Sequence, residues 1–240
     1  MAFSESPAIT VREIDLSGVV PSVSSSTGAI AGNFSWGPVL KPVKVDNEAT
    51  LVERFGSPDT INTFDFHSAS YFLKYTNALQ VVRVVDSNGV NAYNGHRSGF
   101  GDGNAPLIRD LDHWNTVQAA QDSDGRNFIA KYPGALGNSI EVQICPFTSA
   151  DAAFDGWSLK DNFDAAPGTS EFATKANASN DEVHVAVVDQ DGEISGTKGT
   201  VLEAYPFVSV VSNSKSEDGG TNFIKNVINE QSQYIHMVGF

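Results

Sequence analysis

Residues 26–38 read STGAIAGNFSWGP, residues 49–58 read ATLVERFGSP and residues 64–86 read FDFHSASYFLKYTNALQVVRVVD, and these stretches decide the fold. The first predicts a glycine-punctuated strand at 27–34 and the second a short helix at 48–55, with Asp46 or Asn47 as N-cap. The third predicts a helix at 64–75 with an aromatic stripe, followed by a β-branched strand at 79–85. Gly28 and Gly32 would let another backbone approach the first strand closely.

The remainder of the chain alternates short strands, two helices and long polar loops. The predicted elements are a strand at 39–45, a loop at 87–106, a helix at 111–121, strands at 128–132 and 139–145, a hairpin of 182–188 with 193–196, a helix from Thr221 to about Gln231 and a strand at 234–238. We therefore predict an α+β fold: mostly antiparallel or mixed β-sheet with flanking helices and an extended N-terminal arm.

The N-terminal 26 residues divide into a strand-like segment and a soft linker. The strand-like segment alternates imperfectly with a period of two, and it consists of Ala8, Ile9, Thr10, Val11, Arg12, Glu13, Ile14, Asp15 and Leu16. The serine-rich stretch 17–26 that follows has the composition of a linker. From the residues alone, this strand either pairs within its own domain or adds to the edge of another sheet.

Composition and charge exclude several classes of partner. The 240 residues are 40% hydrophobic and 18% charged, which is typical of a globular domain, and the net charge is −14. An acidic surface repels nucleic acid and anionic membranes, so neither is expected as a partner. The sequence shows no signal peptide and no apolar run of membrane-spanning length. The lone Cys145 is expected to be a buried small hydrophobe in a reducing compartment.

Motifs that could carry chemistry are fragmentary. The glycine run at 99–103 lacks the strand, helix and lysine of a phosphate loop. The Asp-rich turns at 122–125 and 189–192 lack the distal glutamate of a calcium loop. The histidines are dispersed and never share a helical face, at His67, His96, His113, His184 and His236. We therefore predict no catalytic, cofactor-binding or metal-binding residues, and no enzyme.

Several motifs in combination resemble the N-terminal part of the contractile-tail sheath proteins of bacteriophages. The STG…AGxxxWGP pattern is carried by Ser26, Thr27, Gly28, Ala31, Gly32, Trp36, Gly37 and Pro38. The NE-x-x-L-x-x-x-FG pattern is carried by Asn47, Glu48, Leu51, Phe55 and Gly56. Tyr71, Phe72 and Leu73, the strand ending VVRVVD at Asp86, and YPGALGNSIEV at 132–142 complete the resemblance.

The resemblance implies a structural subunit rather than a catalyst. It implies stacked hexameric rings around a tail tube, contact with tube and baseplate proteins, and contraction that drives the tube through the host envelope. Residues 1–26 would be the arm and linker, with residues 8–16 joining a neighbour's sheet. Residues 27–240 would be an outer or middle sheath domain with a loop-rich insertion at about 87–127, and the C-terminal sheath core is expected to be absent. The expected location is the virion tail, assembled in the host cytoplasm.

Two alternatives remain from the sequence. One is a sheath-like subunit of another contractile injection system, which would share ring assembly. The other is a carbohydrate-binding or carbohydrate-processing tail accessory. Its expected sign is a cleft lined by exposed Trp114 and Trp157 with a converging pair of carboxylates.

Overall fold

The computed structural model describes residues 27–94, 107–123, 127–148 and 151–239, with the side chains of 118–123 left out. Within these ranges the strands are β1 (Gly28–Gly32), β2 (Pro42–Val45), β3 (Leu79–Arg83), β4 (Tyr93–Asn94), β5 (Phe128–Ala130), β6 (Ile140–Pro146), β7 (Glu182–Asp189), β8 (Thr200–Ser209) and β9 (Ile235–Met237). The helices are α1 (Glu48–Phe55), α2 (Thr63–Leu73), α3 (Leu111–Ser123), α4 (Ala152–Asp155), α5 (Glu171–Lys175) and α6 (Ile224–Gln231).

The described strands form three sheets of three strands each. The first has the order β1-β3-β2, with β1 parallel and β2 antiparallel to the central β3. The second (β4-β5-β9) and the third (β6-β7-β8) are antiparallel throughout. The predicted α+β class with mostly antiparallel sheet is confirmed. The division at residue 26 and the sheath-domain boundaries stay predictions.

The residues at its two ends explain where helix α1 begins and ends. The Asn47 side chain accepts a hydrogen bond from the Thr50 N–H at 2.9 Å, so Asn47 rather than Asp46 is the N-cap. Glu48 lies in the first turn, where the helix dipole favours a negative charge. The helix ends at Gly56, whose φ of 81° is in the range that glycine tolerates best. The predicted bounds of this helix are confirmed.

Helix α2 packs directly against β1. This contact gives two glycines of β1 a different role from the one that the sequence predicted. A Cβ atom on Gly28 would lie 2.2 Å from Cζ of Phe72, and one on Gly32 would lie 2.8 Å from Cγ of Asp65. The glycines therefore admit side chains of α2 rather than another backbone, which corrects our expectation. Asp65 accepts a hydrogen bond from the Asn33 N–H at 2.7 Å, so it links α2 to β1.

The Gly28–Phe72 contact gives a testable stability effect. Gly28→Ala should lower the free energy of unfolding by about 2 kcal/mol, because the added methyl group must displace a packed phenyl ring. Urea denaturation followed by circular dichroism measures this change. Gly168→Ala is the matched control, since its Cβ would meet nothing closer than 3.7 Å. Equal stability of the Gly28→Ala protein and the native protein would refute the packing argument.

The hairpin that begins with β7 differs from the prediction in its second strand. The partner of β7 is β8, and residues 193–196 belong to the connection between the strands. The Asp189 carboxylate accepts hydrogen bonds from the N–H groups of Gly192, Ile194 and Ser195, at 3.1, 3.0 and 2.7 Å. These bonds hold the segment in a turn and withdraw it from strand pairing.

One further element starts differently from the sequence prediction. Helix α6 begins at Ile224 after Phe223, and no side chain caps it, so Thr221 is not its N-cap.

Cys145 is buried at the end of β6, as expected, and burial raises the pKa of its thiol. None of the helices in the described ranges is long and apolar enough to cross a membrane.

Candidate interaction surfaces

The predicted arm strand at residues 8–16 lies outside the described residues, so its role stays a prediction. The described chain begins at Thr27, next to β1, which is an edge strand of the first sheet. In a parallel strand pair, every second residue of a strand forms backbone hydrogen bonds with the partner strand. In β1 these residues include Gly28, which donates to Ala78 O at 2.9 Å, and Gly32, which accepts from the Val84 N–H at 2.8 Å. The peptide groups of Ala29 and Ala31 therefore face away from β3, and both residues are exposed.

The guanidinium of Arg83 is the centre on which the motifs of the first sheet converge. Its Nε donates to Phe34 O at 2.6 Å and its Nη1 to Gly37 O at 3.0 Å. Its Nη2 donates to Ser35 O at 3.2 Å and to Pro133 O at 2.6 Å. Arg83 is buried, and this desolvation lowers the pKa of its guanidinium to about 10. All four acceptors are neutral carbonyl oxygens, so the guanidinium serves a structural role and joins these backbone segments by hydrogen bonds.

Aromatic side chains pack around the same junction. Trp36 is buried and meets Tyr132 edge-on, with ring centroids 5.3 Å apart. It also contacts Tyr234 at 6.2 Å. Gly134 has a φ of 129°, and a Cβ there would lie 2.9 Å from Nη2 of Arg83. The WGP, VVRVVD and YPG segments of the sequence therefore form one packed junction.

A small polar network fixes the turn that leads into α2. Asn62 is buried, and its amide donates to Ser35 Oγ at 2.7 Å, while Ser35 Oγ donates to Asp59 at 2.9 Å. Asp59 also accepts from the N–H groups of Ile61 and Asn62. Partial burial opposes ionisation of Asp59, but these hydrogen bonds outweigh it and lower the pKa of the carboxyl. The network orients the start of α2 relative to the Arg83 junction.

Helix α2 exposes part of the aromatic stripe that the sequence predicted, whereas Phe72 of that stripe packs on Gly28. Phe66, Ala69 and Ser70 form the buried side. Phe64 is 87% exposed, Tyr71 59% and Tyr75 91%, and Ile61 in the preceding turn is 77% exposed. His67 lies exposed beside Phe66 and Tyr71. We call Ile61, Phe64, Tyr71 and Tyr75 the aromatic face.

The candidate chemical groups are not brought together. Among the described residues, no group of three or more His, Cys, Asp or Glu side chains could hold a metal ion. His184 Nε2 is 2.7 Å from Ala165 O, and its Nδ1 accepts from the Phe207 N–H at 3.0 Å, so that ring is fully engaged. His236 is buried against Trp114 with neither ring nitrogen hydrogen-bonded. His96 and the 99–103 glycine run lie outside the described residues.

A cleft of about 610 Å³ lies beside the Arg83 junction. Its charged lining includes Asp59, Asp86, Asp191 and Glu193, besides Arg83. Arg83 is already bound to four carbonyl oxygens and Asp59 to its own turn, so these two groups are engaged in structure. An excess of carboxylates disfavours phosphate or other anionic ligands in this cleft.

The two tryptophans expected to line a carbohydrate cleft lie in separate cores. Trp114 is 2% exposed and stacks on His236, with centroids 4.3 Å apart. Trp157 packs on Phe163 at 5.0 Å, and its indole N–H donates to Gln143 at 2.8 Å. Because Trp114 is buried and the two belong to different hydrophobic clusters, they form no shared cleft. The expected sign of the carbohydrate alternative is therefore wrong.

Comparison with known proteins identifies the class to which these motifs belong. The chain is 32% identical over 202 residues to the tail sheath protein of Salmonella phage ViI, covering 83% of this chain and 28% of that protein. It is 32% identical over 138 residues to the tail sheath protein of Enterobacteria phage T4, covering 58% of this chain and 19% of that protein. The chain is thus related to the phage tail sheath proteins, and spans less than a third of the length of these relatives.

A family model matches one part of the chain. Residues 25–84 match the model described as "Tail sheath protein Gp18 domain III N-terminal region". The predicted resemblance to the N-terminal part of the family is confirmed. A sheath tail protein from Listeria innocua aligns with 87% of this chain and 29% of its own, at 13% identity and a TM-score of 0.42.

Proposed function

We propose that this chain acts as a structural sheath subunit of a phage contractile tail. The match of residues 25–84 to the tail sheath domain carries this proposal. The residues of the resemblance, among them Trp36, Gly37 and Pro133, meet at the Arg83 junction, which gives the shared pattern a physical role in folding. The subunits stack as hexameric rings around the tail tube, with contacts to tube and baseplate proteins.

The N-terminal arm links subunits in this proposal. Residues 8–16 leave their own globule and add as a strand to the sheet of a neighbouring subunit. Backbone ladder bonds tolerate rotation of the subunits, whereas side-chain contacts between globules exchange during contraction. The energy that drives the tube through the host envelope is the difference between two sets of subunit contacts, without an enzymatic step.

The net charge of −14 fits assembly through specific contacts. Mutual repulsion keeps free subunits soluble in the host cytoplasm until specific contacts outweigh it. The same charge disfavours nucleic acid or anionic membrane as partner. The two sequence relatives described above come from phages, which favours a virion tail over another contractile injection system.

The arm is tested by removing its backbone donors. Thr10→Pro with Arg12→Pro should abolish the rings or tubes formed by concentrated protein in negative-stain electron microscopy. Proline lacks the N–H group needed for a strand ladder and disrupts pairing. Circular dichroism should show the same folded globule, because in this proposal residues 8–16 pair with a neighbouring subunit and not within their own domain.

Ser22→Pro with Ser24→Pro is the matched control, since it places two prolines at the same spacing in the linker and leaves the strand intact. This protein should still form rings or tubes. Ordered assemblies of the Thr10→Pro/Arg12→Pro protein equal to those of the native chain would reject the arm. A native chain that stays monomeric at every concentration would reject the sheath function.

A further inference from the structure

We propose that protonation of His236 releases helix α3 from the second sheet, while the rest of the fold stays closed. A pH-dependent opening of one helix goes beyond the proposed function, which concerns contacts between subunits. The opening is local, so the first and third sheets keep their structure when α3 moves away.

His236 lies on the side of the second sheet that α3 covers. It is paired with Ile129 of β5, which shares a buried cluster with Trp114 of α3. Its neighbours Ile235 and Met237 belong to a different cluster, together with residues of α6 and of the third sheet. Successive residues of a strand point to opposite faces, so the imidazole of His236 points towards α3.

The His236 ring is buried without a polar partner. Its exposure is 0%, and neither ring nitrogen makes a hydrogen bond within the part of the chain that the structure describes. The ring stacks on the indole of Trp114, with centroids 4.3 Å apart and an angle of 9° between the planes. A neutral imidazole has one N–H donor, whereas an imidazolium has two donors and a charge. The protonated ring therefore needs acceptors or water, and burial without them is costly.

The charged groups on the sheet side do not favour protonation of this ring. Burial, with a smaller contribution from the positive charge of Lys131, lowers the pKa of His236 to about 3. The ammonium group of Lys131 itself donates to Ser232 O. Helix α6 carries Lys225 and Glu230, but it packs on the other face of β9. Strand β9 contains no titratable residue besides His236.

The charged groups of α3 whose side chains the structure describes are engaged elsewhere. Asp110 Oδ1, just before the helix, accepts from the His113 N–H at 2.8 Å. Asp112 Oδ2 lies 2.8 Å from Lys41 Nζ in an exposed ion pair. The Nδ1 atom of His113 accepts a backbone N–H from the turn before the helix. Solvent is therefore the source of hydrogen bonds for a protonated His236.

Strand β9 is held more firmly than α3, so α3 is the element that moves. The side chain of Asn229 donates to Met237 O at 2.8 Å and accepts from the Met237 N–H at 2.9 Å, which fixes β9 to α6. Among the described side chains of α3, Trp114 and the half-buried Val117 are those that join the cluster on the sheet. The exposed ion pair of α3 with Lys41 adds little. Water reaches the ring with the smallest loss of contacts when α3 moves.

The turn before α3 provides the pivot for this movement. Asn91 is buried, its amide donates to Ile108 O at 3.2 Å, and its Oδ1 accepts from the Ile108 N–H at 2.7 Å. The Val39 N–H donates to Arg109 O at 2.9 Å. These bonds hold residues 108 and 109 in place, so the opening swings the helix about this turn and exposes Trp114.

Hydrogen exchange of the whole chain, followed by mass spectrometry, tests the opening. After correction for the intrinsic exchange rate at each pH, the protection of the α3 amides should fall about tenfold per pH unit between pH 6.5 and 4.5, because one proton is taken up on opening. At each pH it should stay below the protection of the β7 amides, which report global unfolding. Low concentrations of urea should affect the exchange of α3 less than that of β7, because a local opening exposes little surface.

Three variants separate the proton-binding group from the anchor. His236→Phe keeps an aromatic ring against Trp114 and should make the protection of α3 independent of pH over the same range. Trp114→Phe leaves His236 able to titrate but weakens the anchor, so it should lower the protection of α3 about tenfold at every pH and keep the pH slope. His113→Gln is the matched control, because it removes the imidazole of α3 itself and should also keep the slope.

Three results would overturn the proposal. Protection of α3 that does not change with pH in the native chain would do so without any variant. Equal protection of α3 and β7 at every pH would show that α3 opens only on global unfolding. A slope that persists in His236→Phe, or that disappears in His113→Gln, would assign the proton to another group. If His236→Phe does not fold, the slopes of the native chain, Trp114→Phe and His113→Gln still decide. The arm variants test the sheath function separately.

Discussion

Arg83→Met should lower the free energy of unfolding by about 4 kcal/mol, because it leaves several buried carbonyl oxygens without donors. The four hydrogen bonds of the guanidinium connect β3 to residues 34–37 and to Pro133, so the loss affects both halves of the chain. Methionine fills much of the same volume, which limits the contribution of a cavity. Urea unfolding, monitored by tryptophan fluorescence and circular dichroism, measures the change.

Two substitutions serve as controls for this prediction. Arg54→Met removes an exposed arginine of α1 and should change stability by less than about 0.5 kcal/mol. Arg83→Lys keeps the charge but replaces the planar fork with a shorter-reaching ammonium group, so we expect a loss of about 2 kcal/mol. A cost below about 1 kcal/mol for Arg83→Met would show that water or backbone movement satisfies the carbonyls, and that Arg83 is not the centre of the junction.

His236→Phe should remove a large part of the acid sensitivity of the protein. Burial, with a smaller contribution from the charge of Lys131, lowers the pKa of His236 to about 3. Its unfolded value is about 6.5, so the stability from the neutral ring is complete above pH 6.5 and is lost as the pH falls towards 3. The native protein should lose about 1.4 kcal/mol per pH unit from this residue, or roughly 3 kcal/mol between pH 6.5 and 4.5.

The phenylalanine ring can keep the stacking contact with Trp114 and carries no titratable group. The pKa of His184 is also lowered, by burial, so some acid sensitivity remains in the variant. His67→Phe, on the exposed side of α2, is the matched control: it removes an exposed imidazole, so the acid sensitivity that follows from the burial of His236 should remain. Equal pH slopes for the native protein and His236→Phe would mean that the protonated ring finds compensation within the fold.

The sequence predicted best the elements whose determinants are local. Helix α1 has its N-cap at Asn47 and its terminating glycine at Gly56, on either side of eight helical residues, and its bounds were predicted correctly. The role of Arg83 could not be predicted in this way. In the sequence it is one charge in an apolar strand, and its acceptors lie 46 to 50 residues away.

Predictions about which side chains are exposed were less accurate, because periodicity does not tell which face of a helix is buried. The aromatic stripe of α2 was predicted from residue spacing alone, and the structure buries the smaller Ala69 and Ser70 with Phe66. The glycines of β1 supply the missing signal, since Gly28 and Gly32 accommodate Phe72 and Asp65. Exposure of Trp114 was expected only for the carbohydrate alternative. Its burial depends on packing against residues that are distant in the chain, among them Ile129, His236 and Val238.

The Arg83 junction also bears on how the chain reaches its native state. The matched sheath segment stops at residue 84, but one of the carbonyls that surround Arg83 belongs to Pro133. The evolutionary module and the cooperative folding unit therefore have different limits. Closing the 50-residue loop between Arg83 and Pro133 costs chain entropy, so we expect residues 27–84 to reach full stability only together with the downstream segment.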